Sequence, residues 1–216
     1  MKIIIIGAYG TALNIAECIT DACINYGCKD EVLGFAIDND ELGDNIGEYP
    51  ILCTPREIAK KYTDISDIRV IFSLYKPTKM RERAELLRSY GLPDSMFHTF
   101  IHPSAYIAKS SNIGVGNVVL SNCTIQSKVN IGSYNIINSN VVIEHDTTIG
   151  NNNFIAASVC IGSLVKVEDS TFIGLQSSIR ENTVIGANSF VGAHSNVLKN
   201  VKKCDIVYGN PARIRC

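Results

Sequence analysis

His145 and Asp146 are adjacent in the chain, and together they carry the groups best suited to moving a proton near neutral pH. A neutral imidazole accepts a proton from an attacking nucleophile, and a carboxylate can orient the ring and stabilise its charged form. The chain has three other histidines, His98, His102 and His194. Its eight cysteines are Cys18, Cys23, Cys28, Cys53, Cys123, Cys160, Cys204 and Cys216. None forms a Cys-x-x-Cys pair, so no metal site is expected, and the thiols read as small hydrophobes in a reducing compartment. A second group of residues suits a nucleotide. Gly7-Ala8-Tyr9-Gly10, followed by Thr11, connects an apolar run to a helical pattern and leaves backbone N–H groups free for a phosphate. Asp38-Asn39 closes the next apolar run, where a carboxylate can contact a ribose or base. Ser73 and Tyr75-Lys76 end a further strand and could line the same crevice. The full Gly-x-Gly-x-x-Gly fingerprint is absent, which argues against an NAD enzyme. Lys199, Lys202, Lys203 and Arg213 form a basic group near the last repeats, able to meet phosphates.

Two kinds of element must position these residues. The region 1–100 alternates strand and helix: strands over 2–6, 32–37 and 69–74, a helix over 13–26, and a charged helix over 78–90. Pro77 opens that last helix, and Gly91 and Pro93 stop it. This alternation predicts a small α/β unit with a parallel sheet, Rossmann-like in type. The region 101–216 counts in sixes. From Ile107 to Val197 every sixth residue is Ile or Val, sixteen in succession without an insertion. A hexapeptide period specifies a parallel β-helix, with three hexads per coil and therefore about five coils. The fifth position of each hexad is small or medium in size, as at Asn117, Asn135, Asn153, Thr171 and Ser195. The second is often glycine, as at Gly114, Gly132, Gly150, Gly162, Gly174, Gly186 and Gly192. Glycine and asparagine are expected to supply the positive φ angles of the corners.

Composition narrows the function further. The chain has 216 residues, a net charge of -1, 46% hydrophobic residues and 19% charged residues. There is no surplus of positive charge to draw nucleic acid or an anionic membrane. The first apolar run, residues 3–6, is too short for a signal peptide or a membrane span, so the cytoplasm is the default location.

The hexad pattern resembles the left-handed β-helix of the hexapeptide-repeat acyltransferases. A narrower resemblance runs through Gly7-Ala8-Tyr9-Gly10, Ile37-Asp38-Asn39, Ile101-His102-Pro103-Ser104-Ala105, Ile143-Glu144-His145-Asp146 and Gly209-Asn210-Pro211-Ala212-Arg213. In this order the segments are similar to the bacterial UDP-4-amino-sugar N-acetyltransferases and sialic-acid O-acetyltransferases. The resemblance implies a homotrimer with acetyl-CoA between adjacent β-helices and no metal. It also implies direct acetyl transfer to the amine of a 4-amino-dideoxy sugar linked to UDP or dTDP, with His145 as base. Asp146 would orient His145, and Asn138, seven residues before it, would help position the ring. The backbone N–H of Ser163, beside Gly162, would stabilise the oxyanion. Acetyl-CoA would touch Phe154, Leu175 and Gly192-Ala193, with Lys199 and Arg213 near its phosphates. Tyr9, Gly10, Thr11, Asp38, Asn39 and Ser73 would meet the acceptor.

The chain departs from that pattern twice. Thr11 stands where the family commonly has a histidine that contacts the acceptor, and Phe154 stands where it commonly has a second histidine. O-acetylation of a sialic acid or related sugar uses the same fold and base, so the acceptor is open at this stage. A γ-class carbonic anhydrase needs three histidine ligands, but only His145 and His194 lie on the repeats. A sugar nucleotidyltransferase would need a much larger N-terminal domain. A scaffold that has lost activity is the remaining alternative, favoured only by Thr11 and Phe154.

Overall fold

The computed structural model describes residues 1–215. The first unit is a five-stranded sheet, with β1 (Lys2–Ile6), β2 (Glu31–Ala36), β3 (Asn45–Ile46), β4 (Tyr49–Cys53) and β5 (Ile68–Phe72) in the order β3-β4-β2-β1-β5. All pairs are parallel except β3 with β4. Helix α1 (Thr11–Tyr26) connects β1 to β2, α2 (Ile58–Tyr62) follows β4, and α3 (Met80–Ser89) follows β5. Ile3, Ile4, Ile5 and Ile6 are all fully buried, as expected for a central strand covered on both sides. The β3–β4 hairpin and α2 are additions to the sequence reading; Pro50 within β4 conceals a strand signal.

The left-handed β-helix begins at β6 (Phe100–Ile101), which pairs in parallel with Val118–Val119. Sixteen two-residue rungs follow, from Tyr106–Ile107 to Asn196–Val197, and they stack into three parallel sheets. In chain order, the first face contains Val118–Val119 and Ile136–Ile137, the second Thr124–Ile125 and Val142–Ile143, and the third Asn130–Ile131 and Thr148–Ile149. The second residue of each rung points inward. Ile125, Ile143 and Ile161, at successive levels of one face, are fully buried. The fifth-position residues are buried as well: Asn117, Asn135 and Asn153 form a ladder in which each side-chain oxygen accepts the next coil's backbone N–H at 2.8 Å, 2.8 Å and 2.7 Å.

One expectation about the corners is corrected. Positive φ recurs at the fourth position of the hexad, from Gly116 through Asp146 (φ 58°) and Leu164 (φ 60°) to His194 (φ 56°). The second-position glycines do not carry it; they are required by close stacking. A Cβ at Gly114 would lie 2.6 Å from the carbonyl oxygen of Gly132, and one at Gly174 would lie 2.6 Å from the backbone nitrogen of Ala193.

The two units share a hydrophobic core. On the first face the outward residues are apolar too: Phe100, Val118 and Ile136 are buried against Ala12, Ile15, Ile19 and Phe35. Further along the same column Phe154 stacks on Phe172 at 5.3 Å and Phe172 on Phe190 at 5.0 Å, and Tyr208 continues the column. The strand Ile206–Tyr208 closes this sheet by pairing with Arg213–Ile214 in antiparallel fashion. The thiols are less uniform than the sequence suggested. Cys53 and Cys123 are buried, Cys18, Cys23 and Cys28 are half-buried, and Cys160 and Cys204 are exposed; all seven are free, and Cys216 lies outside the described residues.

Each inward aliphatic residue contributes about 1.5–3 kcal/mol of burial, and a carboxylate in its place has no partner in the apolar interior. Ile143→Asp should therefore destabilise the chain by more than about 4 kcal/mol. Gly174→Val should lower the melting temperature by several degrees, because its side chain would meet backbone that cannot move aside. Thermal denaturation followed by circular dichroism measures both effects.

Candidate functional site

His145 follows the inward Ile143 and sits in the turn between the second and third faces. The left-handed turn at Asp146 brings the carboxylate back beside the imidazole, and Asp tolerates this conformation better than most residues. The Nδ1 atom of His145 lies 2.8 Å from Asp146 Oδ2, and Nε2 lies 3.0 Å from Ser163 Oγ, one coil later. An ionised carboxylate only accepts hydrogen bonds, so in the neutral ring Nδ1 carries the proton and Nε2 is left as the acceptor. The Ser163 hydroxyl then donates to Nε2. The sequence reading placed Asp146, His145 and Ser163 together, and the geometry does the same. It adds Lys128, one coil earlier, whose Nζ lies 4.0 Å from Asp146 Oδ1. The backbone N–H of Ser163 has no acceptor among the described residues, whereas Leu164 N–H donates to His145 O at 3.1 Å. Of the other histidines, His98 bonds Asp30 at 2.8 Å, and the buried His102 bonds Ser104 at 2.8 Å, so both are structural.

Asn138 is not beside His145. It lies in the turn between the first and second faces, and its Nδ2 donates to Ile155 O at 2.9 Å. One side of the triangle, roughly 15 Å of extended chain, separates the two turns. Leu175 and Ala193 lie at the same corner as Asn138, and both are exposed; Gly192 there is buried beneath the Tyr208 ring. Phe154 belongs to the aromatic column of the adjoining face. The residues picked out for acetyl-CoA therefore divide between two corners, with Gly162, Ser163 and Lys199 at the His145 corner and Phe154, Leu175, Gly192 and Ala193 at or beside the Asn138 corner. The basic group is divided as well. Lys199 follows the last rung of the second face, Lys202 and Lys203 occupy the next corner, and Arg213 is on the terminal strand of the first face.

Two cavities flank the turn after β1. One, of about 380 Å³, lies between the units and is lined by Thr11, Tyr75 and Pro77 on one side and by Asn138, Phe154, Phe172 and Leu175 on the other. The Tyr75 hydroxyl donates to the carbonyl of Tyr134, and burial pushes its pKa far above the ordinary phenol value, so this wall is neutral. The second cavity, of about 320 Å³, opens at the carboxyl ends of β1 and β2 and is lined by Gly7, Ala8, Asp38, Asn39, Arg83 and Tyr90. Between them α1 begins. Gly10 (φ 63°) precedes it, and the first bond of the helix runs from Asn14 N–H to Gly10 O, which leaves the N–H groups of Thr11, Ala12 and Leu13 free.

Tyr9 is exposed at 61% and lines neither cavity. Ser73 is buried, its Oγ donates to Ile6 O at 2.7 Å, and it packs on Gly7, so it shapes the turn from behind and lines neither cavity. Arg83 was missed, although its place on α3 marks it: Met80, Ala84 and Leu87 form the buried face, and position 83 falls on that face. Among the described residues no group of three His, Cys, Asp or Glu side chains could hold a metal ion, and no helix is long and apolar enough to cross a membrane.

No protein-family profile and no curated protein matches this sequence. Solved structures do. PerB from Caulobacter crescentus, in complex with CoA and GDP-perosamine, has a TM-score of 0.84 at 23% identity, over 100% of this chain and 98% of that one. The acetyltransferase domain of PglB from Neisseria gonorrhoeae, with acetyl coenzyme A, gives 0.82 at 20% identity, over 99% and 98%. WeeI from Acinetobacter baumannii gives 0.79 at 22% identity, over 100% of both chains. This chain has their fold. The likeness spans the α/β unit and the β-helix together, so it includes how the two are joined.

The pairing of Asp146 with Nδ1 has a direct readout. Long-range ¹H–¹⁵N spectra should show His145 as the Nδ1–H tautomer, with Nε2 unprotonated. Asp146→Asn should weaken that preference; an Nε2–H tautomer in the unaltered protein would contradict the geometry.

Proposed function

We propose that this chain is an acetyl-CoA-dependent N-acetyltransferase that acts on the amino group of a nucleotide-linked sugar, a 4-amino-dideoxy sugar in particular. The fold shared with the sugar acetyltransferases supports the reaction class. The observation that carries the reading is the set at one corner: a base whose Nδ1 is held by Asp146, and an unpaired backbone N–H at Ser163 one coil away. The sugar amine displaces the Ser163 hydroxyl from Nε2 and attacks the thioester carbonyl. His145 takes the amine proton, the Ser163 N–H stabilises the oxyanion, and CoA leaves as its thiol once a proton is returned to sulfur. Much of the acceleration comes from holding amine and thioester together.

The acceptor follows the line of the cavities. The nucleoside occupies the space beside Asp38 and Asn39, the phosphates meet the free N–H groups at the start of α1, and the sugar lies near Thr11 and Asn138. Phe154 replaces a polar contact with an apolar wall continuous with Phe172. This path ends at the Asn138 corner, whereas the base is at the other corner of the same coil. A cyclic homotrimer resolves the separation, because it sets the Asn138 corner of one copy against the His145 corner of its neighbour. Acetyl-CoA then lies in the groove between copies, and each site takes residues from both.

His145→Ala should lower kcat by about 100- to 10,000-fold without changing the oligomer measured by light scattering; near-normal turnover would remove His145 from the mechanism. Mixed assemblies test the shared site. Thr11→Trp fills the cavity at one corner, and His145→Ala disables the other. Each variant alone should be inactive, and refolding the two together should restore activity. If the mixture stays inactive although subunits exchange, both halves come from one copy.

A further inference from the structure

We propose that Arg83 and Asp38 read the base of the acceptor's nucleotide, and that they select a base with a carbonyl oxygen next to a ring N–H, as in uracil, thymine and guanine. The inference rests on the proposed function and concerns the 320 Å³ cavity at the carboxyl ends of β1 and β2.

Arg83 is out of place for an ordinary surface charge. It shares the buried face of α3 with Met80, Ala84 and Leu87. Its neighbours on the helix are paired at the surface, Arg81 with Glu85 at 2.9 Å and Lys79 with Glu82 at 2.8 Å. The Nε atom of Arg83 is buried and has no acceptor, and among the described residues no other Lys or Arg nitrogen is left so. Arg83 as a whole is half-buried, but a buried donor atom without a partner is costly, so its Nε points to a ligand that completes it. Asp38 lines the same cavity, yet the two make no ion pair. Thus a donor and an acceptor both face one apolar slot walled by Leu42, Leu86 and Tyr90.

The chemistry of the two groups defines the ligand edge. A guanidinium only donates, and an ionised carboxylate only accepts. A carbonyl oxygen has two lone pairs and can take two N–H groups of the fork, while the adjacent ring N–H donates to Asp38. Adenine has no carbonyl; its ring nitrogens offer one lone pair each, and the guanidinium gains nothing from its amino group. The slot also lies on the far side of the α1 N-terminus from the cavity at Thr11, where the base of a nucleotide sugar must be if its phosphates sit at that helix start.

Calorimetric titration of the full-length protein with UDP, dTDP, GDP and ADP tests the proposal, alongside steady-state acetylation of nucleotide-linked amino sugars. The unaltered protein should bind at least one of UDP, dTDP and GDP about tenfold or more tightly than ADP. Arg83→Met should weaken that binding by about 10- to 100-fold, the range for losing a hydrogen bond to a charged group. It should raise KM for the sugar nucleotide, change kcat little, and leave CoA affinity and the melting temperature unaltered. Arg83→Lys, which keeps the charge and loses the fork, should recover only part of the loss. ADP binding as tightly as the others, or Arg83→Met binding like the unaltered protein, would overturn the assignment. If nucleotides bind in the expected order but no amine is acetylated, the pocket assignment stands and the reaction assigned above fails.

Discussion

Everything in this molecule depends on one stacking constraint, that a coil must repeat its backbone path after three rungs. An inward Ile or Val on each rung fills the interior, and, from Gly116 to His194, a residue with positive φ in each turn bends the chain toward the next face. Neither suffices alone. Aliphatic burial sets the diameter of the stack but does not say where the chain turns. The left-handed residue sets the turn, at a cost of about 1–2 kcal/mol per residue for side chains other than Gly, Asn and Asp. Leu164, Tyr134 and Gln176 adopt that conformation nonetheless, so burial and the coil-to-coil hydrogen bonds outweigh the local preference.

The repeat was legible because its signal is strictly periodic and no insertion interrupts it. The role of the glycines was not. A glycine in a turn reads as a device for positive φ, yet at Gly114 and Gly174 the demand is for space against the next coil, which depends on how closely coils stack. The α/β unit was legible where strands are fully buried, as at β1, and obscure where β4 carries Pro50. Around the site, His145, Asp146 and Ser163 could be found by counting, since a separation of 18 residues returns to the same corner. Asn138 shows the limit of counting: seven residues look close in sequence but cross one side of the coil. Ser73 shows another, because only the packing reveals that its hydroxyl is committed to the β1 carbonyl.

The first face carries a signal that a search for inward residues passes over. Phe100, Val118, Ile136, Phe154, Phe172, Phe190 and Ile206 occupy its outward column, while the corresponding residues of the third face include Asn112, Asn130, Thr148 and Lys166. An apolar outer column on one face identifies where the α/β unit docks. The docked unit covers the start of the column, and the aromatic continuation forms a wall of the cavity between the units. One choice of residue thus attaches the α/β unit and shapes the cavity between the two units.

Because the core reads only every sixth residue while the site reads every eighteenth, the two are sensitive to different changes of length. Loss of six residues between Asp146 and Gly162 would leave an inward aliphatic residue on every remaining rung, yet it would carry Ser163 a third of a turn away from His145. Loss of eighteen beyond Ser163 would shorten the stack by one coil and leave that corner intact. A lineage can therefore lengthen or trim this protein freely only in whole turns. The smaller step keeps the inward residues in register, yet it would separate the proposed oxyanion donor from its proposed base.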